Sequence, residues 1–354
     1  MFYVEIPKDD GRMRLLGIPT VSDRIAQMVV KIYLEPALES IFHQDSYGYR
    51  PNKSALQAVE KARQRCWQYN WVVDLDIKGF FDNIDHDLMM KAVCAHTDSK
   101  WILLYIERWL KAPVQFEDGT LTQRNMGTPQ GGVISPLLAN LFLHYAFDKW
   151  LSRNYPDNPF ERYADDAVVH CQSEEEAIIV KEAIADRMEQ CKLELHPIKT
   201  KVVYCKDDYR RENAECTSFD FLGFTFRMRT ARSKRGRLFN GFNPAISNKA
   251  KKRIRKEIRS WKVHLWSSLT IFEISAYCNP RIRGWIVYYG KFNKSVLYPI
   301  FKRFNAILCN WAHRKYKKLH NRRKRIFRLF GQIAKSYPKL FYHWNFGVGV
   351  TAVR

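Results

Sequence analysis

The fold is decided by the stretch Phe160-Glu161-Arg162-Tyr163-Ala164-Asp165-Asp166-Ala167-Val168-Val169-His170-Cys171. Its apolar residues on either side of a polar centre predict two short strands around a tight turn that holds Asp165 and Asp166. A second apolar strand, residues 71–77, ends in acid at Asp76. Neighbouring strands of one sheet bring such ends side by side even when about ninety residues separate them in the chain. We therefore expect the three aspartates to lie together.

Three carboxylates at adjacent strand ends suit a particular chemistry. Transfer of a phosphoryl group needs charge neutralisation and in-line positioning, which two metal ions about 4 Å apart supply. Magnesium prefers oxygen ligands and keeps water and substrate phosphates in its shell. We predict that Asp76, Asp165 and Asp166 are catalytic and hold two Mg²⁺ ions, for which Mn²⁺ can substitute. Taken alone, the Asp-Asp pair is more often a plain turn, because aspartate is common in turns.

The rest of the N-terminal part of the chain, up to about residue 235, alternates helices with strands. This alternation indicates an α+β fold with a mixed or antiparallel sheet backed by helices. Residues 8–19 predict a basic turn or hairpin. Capping residues predict where three helices begin: Ser22, Ser135 followed by Pro136, and Ser173 with Glu176 as a capping box. Apolar side chains recur at helical spacing in all three helices. They are Ile25, Met28, Val29, Ile32 and Tyr33 in the first, Leu138, Leu141, Phe142 and Tyr145 in the second, and Ala177, Val180, Ile184, Met188 and Cys191 in the third.

The charge of the chain is unevenly distributed. Net charge is +23, and residues 227–335 hold 30 Lys and Arg against two acids, Glu257 and Glu273. Such a segment repels itself unless it meets a polyanion, and nucleic acid fits this description best. Ile254, Ile258 and Trp261 fall at helical spacing, so one face can pack while the others meet phosphates. We predict these nucleic-acid contacts: Lys251, Lys252, Arg255, Arg259, Arg322 and Arg323.

Composition excludes several classes of protein. Hydrophobic residues make up 46% of the sequence, which argues against a disordered chain. No apolar run is long enough for a membrane span, and the N-terminus lacks the pattern of a signal peptide. The eight cysteines form no C-x-x-C pair, so neither a zinc site nor a disulfide framework is expected. We expect a protein of a reducing cytoplasm.

Taken in order, the motifs resemble those of reverse transcriptases, and most closely of the group II intron-encoded reverse transcriptase/maturase in its endonuclease-less form. Each block is short, but together they run nearly end to end: residues 7–11 and 14–20, 46–51, 76–82, 127–132 with Ser135-Pro136, 163–166, 199–201, 221–224, and 283–289 with 301–311. The resemblance implies a right-hand polymerase. Fingers and palm would occupy residues 1–235, an α-helical maturase-type thumb 236–335, and a short tail 336–354.

The resemblance also implies roles for individual residues. Asp76 and Asp165 would be the principal metal ligands, with Asp166 beside them and the backbone carbonyl of Ile77 completing one metal shell. Phe81 matches the family's steric gate, whose ring selects deoxynucleotides by excluding a ribose 2′-hydroxyl. Four further groups would contact the incoming nucleotide or its phosphates: Lys8, Arg14, the loop of Gln130 and Gly131, and Lys199.

The implied function is RNA-directed DNA synthesis that copies intron RNA for retrohoming, together with assistance to splicing. The partners would be intron RNA, an RNA template with a DNA primer, and deoxynucleoside triphosphates; a homodimer is left open. Relative to the family pattern, we expect the N-terminal extension and the His/Asn endonuclease to be missing. Two alternatives remain: a polymerase-inactive RNA-binding splicing factor, and a related reverse transcriptase in phage defence or beside a CRISPR system.

Overall fold

A computed structural model describes residues 2–7, 13–116, 118–232, 235–319 and 322–350. The chain divides into two compact units. The first comprises Met1–Phe219 and Thr230–Phe242, and the second comprises Asp220–Arg229 and Asn243–Arg354. Strands and helices alternate in the first unit and helices dominate the second, which confirms the α+β class and the helical back part. The predicted functional boundary at residue 235 stays a prediction.

The strands, in chain order, are β1 Phe2–Pro7, β2 Met13–Ile18, β3 Trp71–Asp76, β4 Val114–Gln115, β5 Leu121–Thr122, β6 Phe160–Tyr163, β7 Asp166–Cys171, β8 Lys201–Tyr204, β9 Ser218–Phe221, β10 Phe224–Arg232 and β11 Leu238–Ile246. The α-helices are α1 Val21–Ile41, α2 Ala55–Arg65, α3 Phe80–Asn83, α4 His86–Cys94, α5 Lys100–Lys111, α6 Ser135–Leu143, α7 Lys149–Asn154, α8 Glu174–Gln190, α9 Asn248–Ser260, α10 Ile271–Tyr289, α11 Tyr298–Lys315, α12 Arg323–Ser336 and α13 Tyr342–Asn345. A π-helical turn, His144–Asp148, joins α6 to α7.

The central sheet of the first unit has the order β6-β7-β3-β8, and every neighbouring pair is antiparallel. Alternate residues of β3, including Val73 and Leu75, are buried with the apolar sides of α6 and α8 in one core. The helix face predicted for α8 is part of that core, and β6 and β7 form the predicted hairpin. These elements fix where the strand ends lie, and so position the acidic residues.

A second sheet of this unit has the order β2-β1-β4-β5. Strands β1 and β2 pair antiparallel. Strand β2 falls within the predicted residues 8–19, whereas β1 precedes them, and Lys8 lies outside the described residues. A third sheet has the order β11-β10-β9.

Helix α1 differs from its prediction in two ways. Thr20, not Ser22, caps it, because the Thr20 hydroxyl accepts the hydrogen bond from the backbone N–H of Asp23. The apolar stripe that predicted the helix faces outward; its exposed members are Ile25, Met28, Val29, Ile32 and Tyr33. The core instead takes the opposite side of the helix, with Val30, Leu34 and Leu38. Periodicity thus predicted the helix but not its buried face.

Two other predicted helix starts were partly wrong. Ser135 is the first residue of α6 and Ile134 holds the cap position, because the Ser135 hydroxyl instead accepts a hydrogen bond from Thr128 at 3.0 Å. Ser173 does cap α8, but the Glu176 carboxylate turns to the backbone N–H of Gln172, so the reciprocal bond of a capping box is not made.

The second unit is held together by aromatic packing between its helices. Trp261 stacks on Trp285 with ring centroids 5.7 Å apart, and Phe304 meets Trp261 edge-on. Ile254 and Ile258 are buried beside them, which confirms the predicted packing face of α9. A capping box between Thr270 and Glu273 starts α10. None of the described helices is both long and apolar enough to cross a membrane.

Candidate active site

The central sheet brings the three predicted aspartates to one end. Asp76 is the direct cross-strand partner of Asp166 in the antiparallel register of β3 and β7. Tyr163 pairs with Asp166 across the hairpin, which leaves Ala164 and Asp165 as its two-residue turn. Residues directly opposite each other in an antiparallel pair have their Cβ atoms about 5 Å apart. The antiparallel register therefore brings Asp76 and Asp166 together, as predicted.

The turn has a backbone conformation that a neighbouring element must support. Ala164 has a φ of 56°, in the left-handed region that costs a residue with a side chain about 1–2 kcal/mol. Gly48 lies against it: a Cβ at residue 48 would stand 2.4 Å from the backbone nitrogen of Ala164. Glycine at position 48 is thus required by close approach to the turn.

A buried arginine, Arg162, also holds this turn in place through hydrogen bonds. Arg162 is 1% exposed, and its guanidinium donates to both carboxylate oxygens of Asp148 at 2.6 Å. The same group donates to the carbonyl oxygen of Ala164 at 3.0 Å and to the side-chain oxygen of Asn140 at 3.1 Å. The Asn140 amide in turn donates to the carbonyl oxygen of Gly48 at 2.6 Å. One network therefore ties the turn to Gly48, α6 and the π-helical turn.

Sequence reasoning missed the members of this network. Arg162 directly precedes the acidic motif, and Gly48 lies inside a quoted motif, but neither position signals a contact with the turn. Asp148 lies in a helical segment, and no pattern in the residues around it indicates that it pairs with Arg162. The network becomes visible once the strands and helices are packed together.

Negative charge accumulates at the site. Asp166 is exposed as a whole residue, yet desolvation of its carboxyl group, followed by the negative charges of Asp165 and Asp76, raises its pKa to about 7. The ammonium of Lys199 counters this charge, since its Nζ atom lies 3.0 and 3.2 Å from the two carboxylate oxygens of Asp76. The structure thus places Lys199 at the predicted catalytic carboxylates.

These residues fit divalent cations. Three carboxylates crowd one strand end, and a cation, the Lys199 ammonium, already sits on one of them. In the described part of the chain, no three acidic, histidine or cysteine side chains form a ready-made metal cage. Magnesium does not require one, because one or two carboxylates with water and substrate phosphates usually complete its shell. The backbone of Ile77 continues β3 beyond Asp76 and pairs with Leu195.

The predicted nucleotide loop is attached to β2. The carbonyl oxygen of Gln130 accepts a hydrogen bond from the backbone N–H of Gly17 at 2.7 Å. Gly131 has a φ of 116°, and a Cβ there would lie 2.4 Å from the Gly17 carbonyl oxygen. Gly131 therefore allows its backbone to pack closely against β2. Its close approach to a nucleotide stays a prediction. Arg14 belongs to β2, and its side chain lies outside the described residues.

Phe81 lies at the first turn of α3, five residues after Asp76. Its ring meets the buried ring of Phe80 edge-on, with centroids 5.3 Å apart, and it is itself partly exposed. The adjacent aromatic residues therefore differ: Phe80 fills the core and Phe81 reaches the surface. The side chain of Gln130 points to Asp82, with its nitrogen 3.3 Å from a carboxylate oxygen.

The second unit concentrates positive charge. Of the predicted contacts, Lys252, Arg255, Arg259 and Arg322 are exposed and Lys251 is half-buried, while the side chain of Arg323 lies outside the described residues. Desolvation and then the charge of Arg255, Arg229 and Arg227 lower the pKa of Lys251. Desolvation and then Arg227 lower the pKa of Arg229 to about 10. Positive charges that lower one another's pKa values in this way would be stabilised by a bound anion.

Two family models match the sequence. The model described as "Reverse transcriptase (RNA-dependent DNA polymerase)" matches residues 6–226, and the model "Group II intron, maturase-specific domain" matches residues 251–330. The first covers the sheet with the aspartates, and the second covers most of the basic helical region.

Individual proteins agree with these matches. Protein YkfC of Escherichia coli is 38% identical over 157 residues, which are 43% of this chain and 41% of that protein. The group II intron-encoded protein LtrA of Lactococcus lactis is 39% identical over 137 residues, 39% of this chain and 23% of that protein. The chain thus spans less than half of either relative. A solved telomerase of Candida albicans shares the fold, with a TM-score of 0.53 at 13% identity over 97% of this chain and 64% of that chain.

The buried ion pair beneath the turn predicts a large effect on stability. Asp148→Leu leaves the Arg162 guanidinium buried without its counter-ion, which should lower the free energy of unfolding by about 3–5 kcal/mol. Urea unfolding followed by circular dichroism measures the loss. Asp148→Leu combined with Arg162→Met should recover part of it, because no charge is then left buried while Ala164 and Asn140 still lose their donor. The exposed pair Lys111–Glu107 offers a control, and Glu107→Gln should change little. Equal midpoints for wild type and Asp148→Leu would contradict the assignment.

The raised pKa of Asp166 predicts how stability depends on pH. Between its ordinary pKa, near 4, and about 7, the folded protein binds a proton that the unfolded chain releases, so stability falls as pH rises through this window. Asp166→Asn removes the effect. In metal-free buffer, its melting temperature relative to wild type should therefore increase from about pH 4 to about pH 8. Asp157→Asn, at an exposed position, controls for the loss of one negative charge. A pH-independent difference would show that Asp166 has an ordinary pKa.

Proposed function

Because the chain belongs to the reverse transcriptase (RNA-dependent DNA polymerase) family and carries a group II intron maturase-specific domain, we propose that it copies group II intron RNA into cDNA for retrohoming and binds that RNA to assist splicing. The observation that carries the polymerase activity is the register that sets Asp76 opposite Asp166, with Asp165 in the adjoining turn. The relative described as a group II intron-encoded protein supports the intron as its template.

Asp76, Asp165 and Asp166, with the carbonyl of Ile77, are the groups that would hold two Mg²⁺ ions, or Mn²⁺ in their place. Bound there, divalent cations would neutralise the triphosphate and favour attack by the primer 3′-hydroxyl. The chain's own part is to hold its carboxylates in place. The hydrogen bond from Arg162 to Ala164 and the contact with Gly48 do this, since they fix the turn that carries Asp165.

Lys199 is suited to a changing role. It neutralises Asp76 in this structure, and its side chain is half exposed, so it can turn toward phosphate oxygens once cations occupy the carboxylates. A lysine ammonium is a mobile point charge, and that property suits contact with a leaving pyrophosphate.

The remaining nucleotide contacts are proposed from their positions around the site. Phe81 would exclude a ribose 2′-hydroxyl, and Gln130 with Gly131 would border the nucleotide on the side of β2. Lys8 and Arg14 would bind the triphosphate. An RNA template, a DNA primer and deoxynucleoside triphosphates are the corresponding substrates.

The basic surface of the second unit would bind RNA, chiefly through phosphates. Lys251, Lys252, Arg255 and Arg259 lie on α9, whose apolar residues are buried, so the cations are left for a partner. Contacts to phosphate position an RNA without reading its sequence. Arg322 and Arg323 would extend this surface. A homodimer and a bacterial cytoplasmic location stay predictions.

Primer extension on an RNA template with Mg²⁺ tests the polymerase. Wild type should make full-length cDNA, and Asp165→Ala should lose a factor on the order of 10³ or more, as when a charge-stabilising group of phosphoryl transfer is removed. Asp157→Asn is the matched control, because it removes an exposed aspartate away from the turn.

Binding of group II intron RNA by the same proteins separates the two activities. Asp165→Ala should bind as tightly as wild type. Tight binding by a wild type that makes no cDNA would leave the splicing factor as the function. A wild type that makes cDNA but has no preference for intron RNA would instead favour a reverse transcriptase of another system.

Phe81→Ala tests the proposed gate. Removal of the ring should reduce discrimination against ribonucleotides by about tenfold or more, because a steric barrier to the 2′-hydroxyl is lost. The ratio of kcat/KM for a deoxynucleotide and its ribonucleotide measures this. Phe80→Leu is the control, since that neighbouring ring is buried in the core. Unchanged discrimination in Phe81→Ala would assign the gate to another residue.

A further inference from the structure

The second unit contains a cavity of about 360 Å³ between α9 and α11. Both helices contribute residues at helical spacing, so two facing stripes form its walls. The lining residues are Arg255, Ile258 and Arg259 from α9, and Pro299, Ile300, Arg303 and Ile307 from α11.

The lining divides into an apolar floor and a charged rim. The half-buried Ile307 and the exposed Pro299 present apolar surface to a ligand, and beneath them lie Ile258 and Ile300, which are 4% and 1% exposed. The three arginines are exposed. Across the described residues, no acidic side chain forms an ion pair with Arg255, Arg259 or Arg303. Glu257 is the acidic residue nearest in sequence to Arg255 and Arg259. It instead forms an ion pair with Arg281 and accepts a hydrogen bond from the indole N–H of Trp261.

This combination selects one kind of ligand. A phosphate alone would leave the apolar floor unused, and an apolar peptide would have to bury three uncompensated cations. A nucleotide matches both parts, since its base is flat and apolar on its faces and its phosphate is anionic. Guanidinium planes also stack on bases, and unpaired bases are the parts of RNA that proteins can reach.

We propose that this cavity takes one unpaired nucleotide of a bound RNA, with the base on the isoleucine floor and the phosphates on the arginine rim. The proposal rests on RNA binding by the second unit. It adds a site that recognises a bulged or looped position to a surface that otherwise contacts phosphates. It also assigns a role to Arg303, which lies within the motif block 301–311 but was not among the predicted nucleic-acid contacts.

Two RNA hairpins test the proposal with the full chain. One carries a single bulged nucleotide, and the other carries an abasic residue at the same place, so their phosphate charge is equal. Fluorescence anisotropy at one fixed salt concentration gives both dissociation constants. Wild type should bind the bulged hairpin about tenfold more tightly, a factor within the range of base stacking on protein.

A matched pair of variants locates the effect. Arg303→Gln removes a rim cation and should reduce the preference to about twofold or less, because one stacking and phosphate-binding group is lost. Lys302→Gln removes the same charge from an exposed neighbour that does not line the cavity, and it should weaken binding of both hairpins equally. Equal melting temperatures of the two variants would show that both are folded.

The outcomes distinguish this site from RNA binding in general. If wild type binds both hairpins tightly and equally, RNA binding stands and the nucleotide site is overturned. The site is also overturned if Arg303→Gln keeps the full preference. If wild type binds neither hairpin, RNA binding by the second unit fails, and the site with it.

Discussion

Repulsion among carboxylates at one end of the central sheet is the constraint on which the first unit depends. Antiparallel pairing sets Asp76 directly opposite Asp166, and the turn adds Asp165 beside them. Like charges at this spacing oppose folding, and the pKa of Asp166 is raised first by burial of its carboxyl group and then by the charges of Asp165 and Asp76. The arrangement persists because the surrounding structure determines it from several sides. Arg162, buried against Asp148, donates to the turn, and Gly48 packs onto it.

The second unit has the opposite imbalance. Its aromatic and aliphatic residues supply a core between helices, while Arg227, Arg229 and Lys251 crowd together with lowered pKa values for the latter two. Each unit thus retains charge that its own residues compensate only in part. The first is suited to divalent cations, and the second to a polyanion. The reverse transcriptase family model matches residues 6–226, and the maturase-specific model matches residues 251–330.

Much of the fold followed from local pattern. Alternation and apolar runs predicted β3, the β6–β7 hairpin and the buried face of α8, because those residues pack with the period of their own secondary structure. Sequence pattern predicted the helix caps less reliably, because a hydroxyl near the start of a helix has several possible hydrogen-bond partners. Ser22 and Ser135 were plausible caps, but Thr20 took the first role and a hydrogen bond from Thr128 engaged Ser135. In α1 both faces are apolar, so periodicity could not decide which one the core would bury.

The acidic motif, the strands that carry it and the basic, aromatic character of residues 227–335 could all be predicted from the sequence, because composition and spacing are local properties. Tertiary packing alone placed Lys199 on Asp76 and brought Gly131 against Gly17. It also placed Arg162 where it pairs with Asp148 and Asn140 and donates to the turn at Ala164. It also formed the cavity between α9 and α11. These contacts join residues far apart in the chain, and their geometry depends on how whole elements pack.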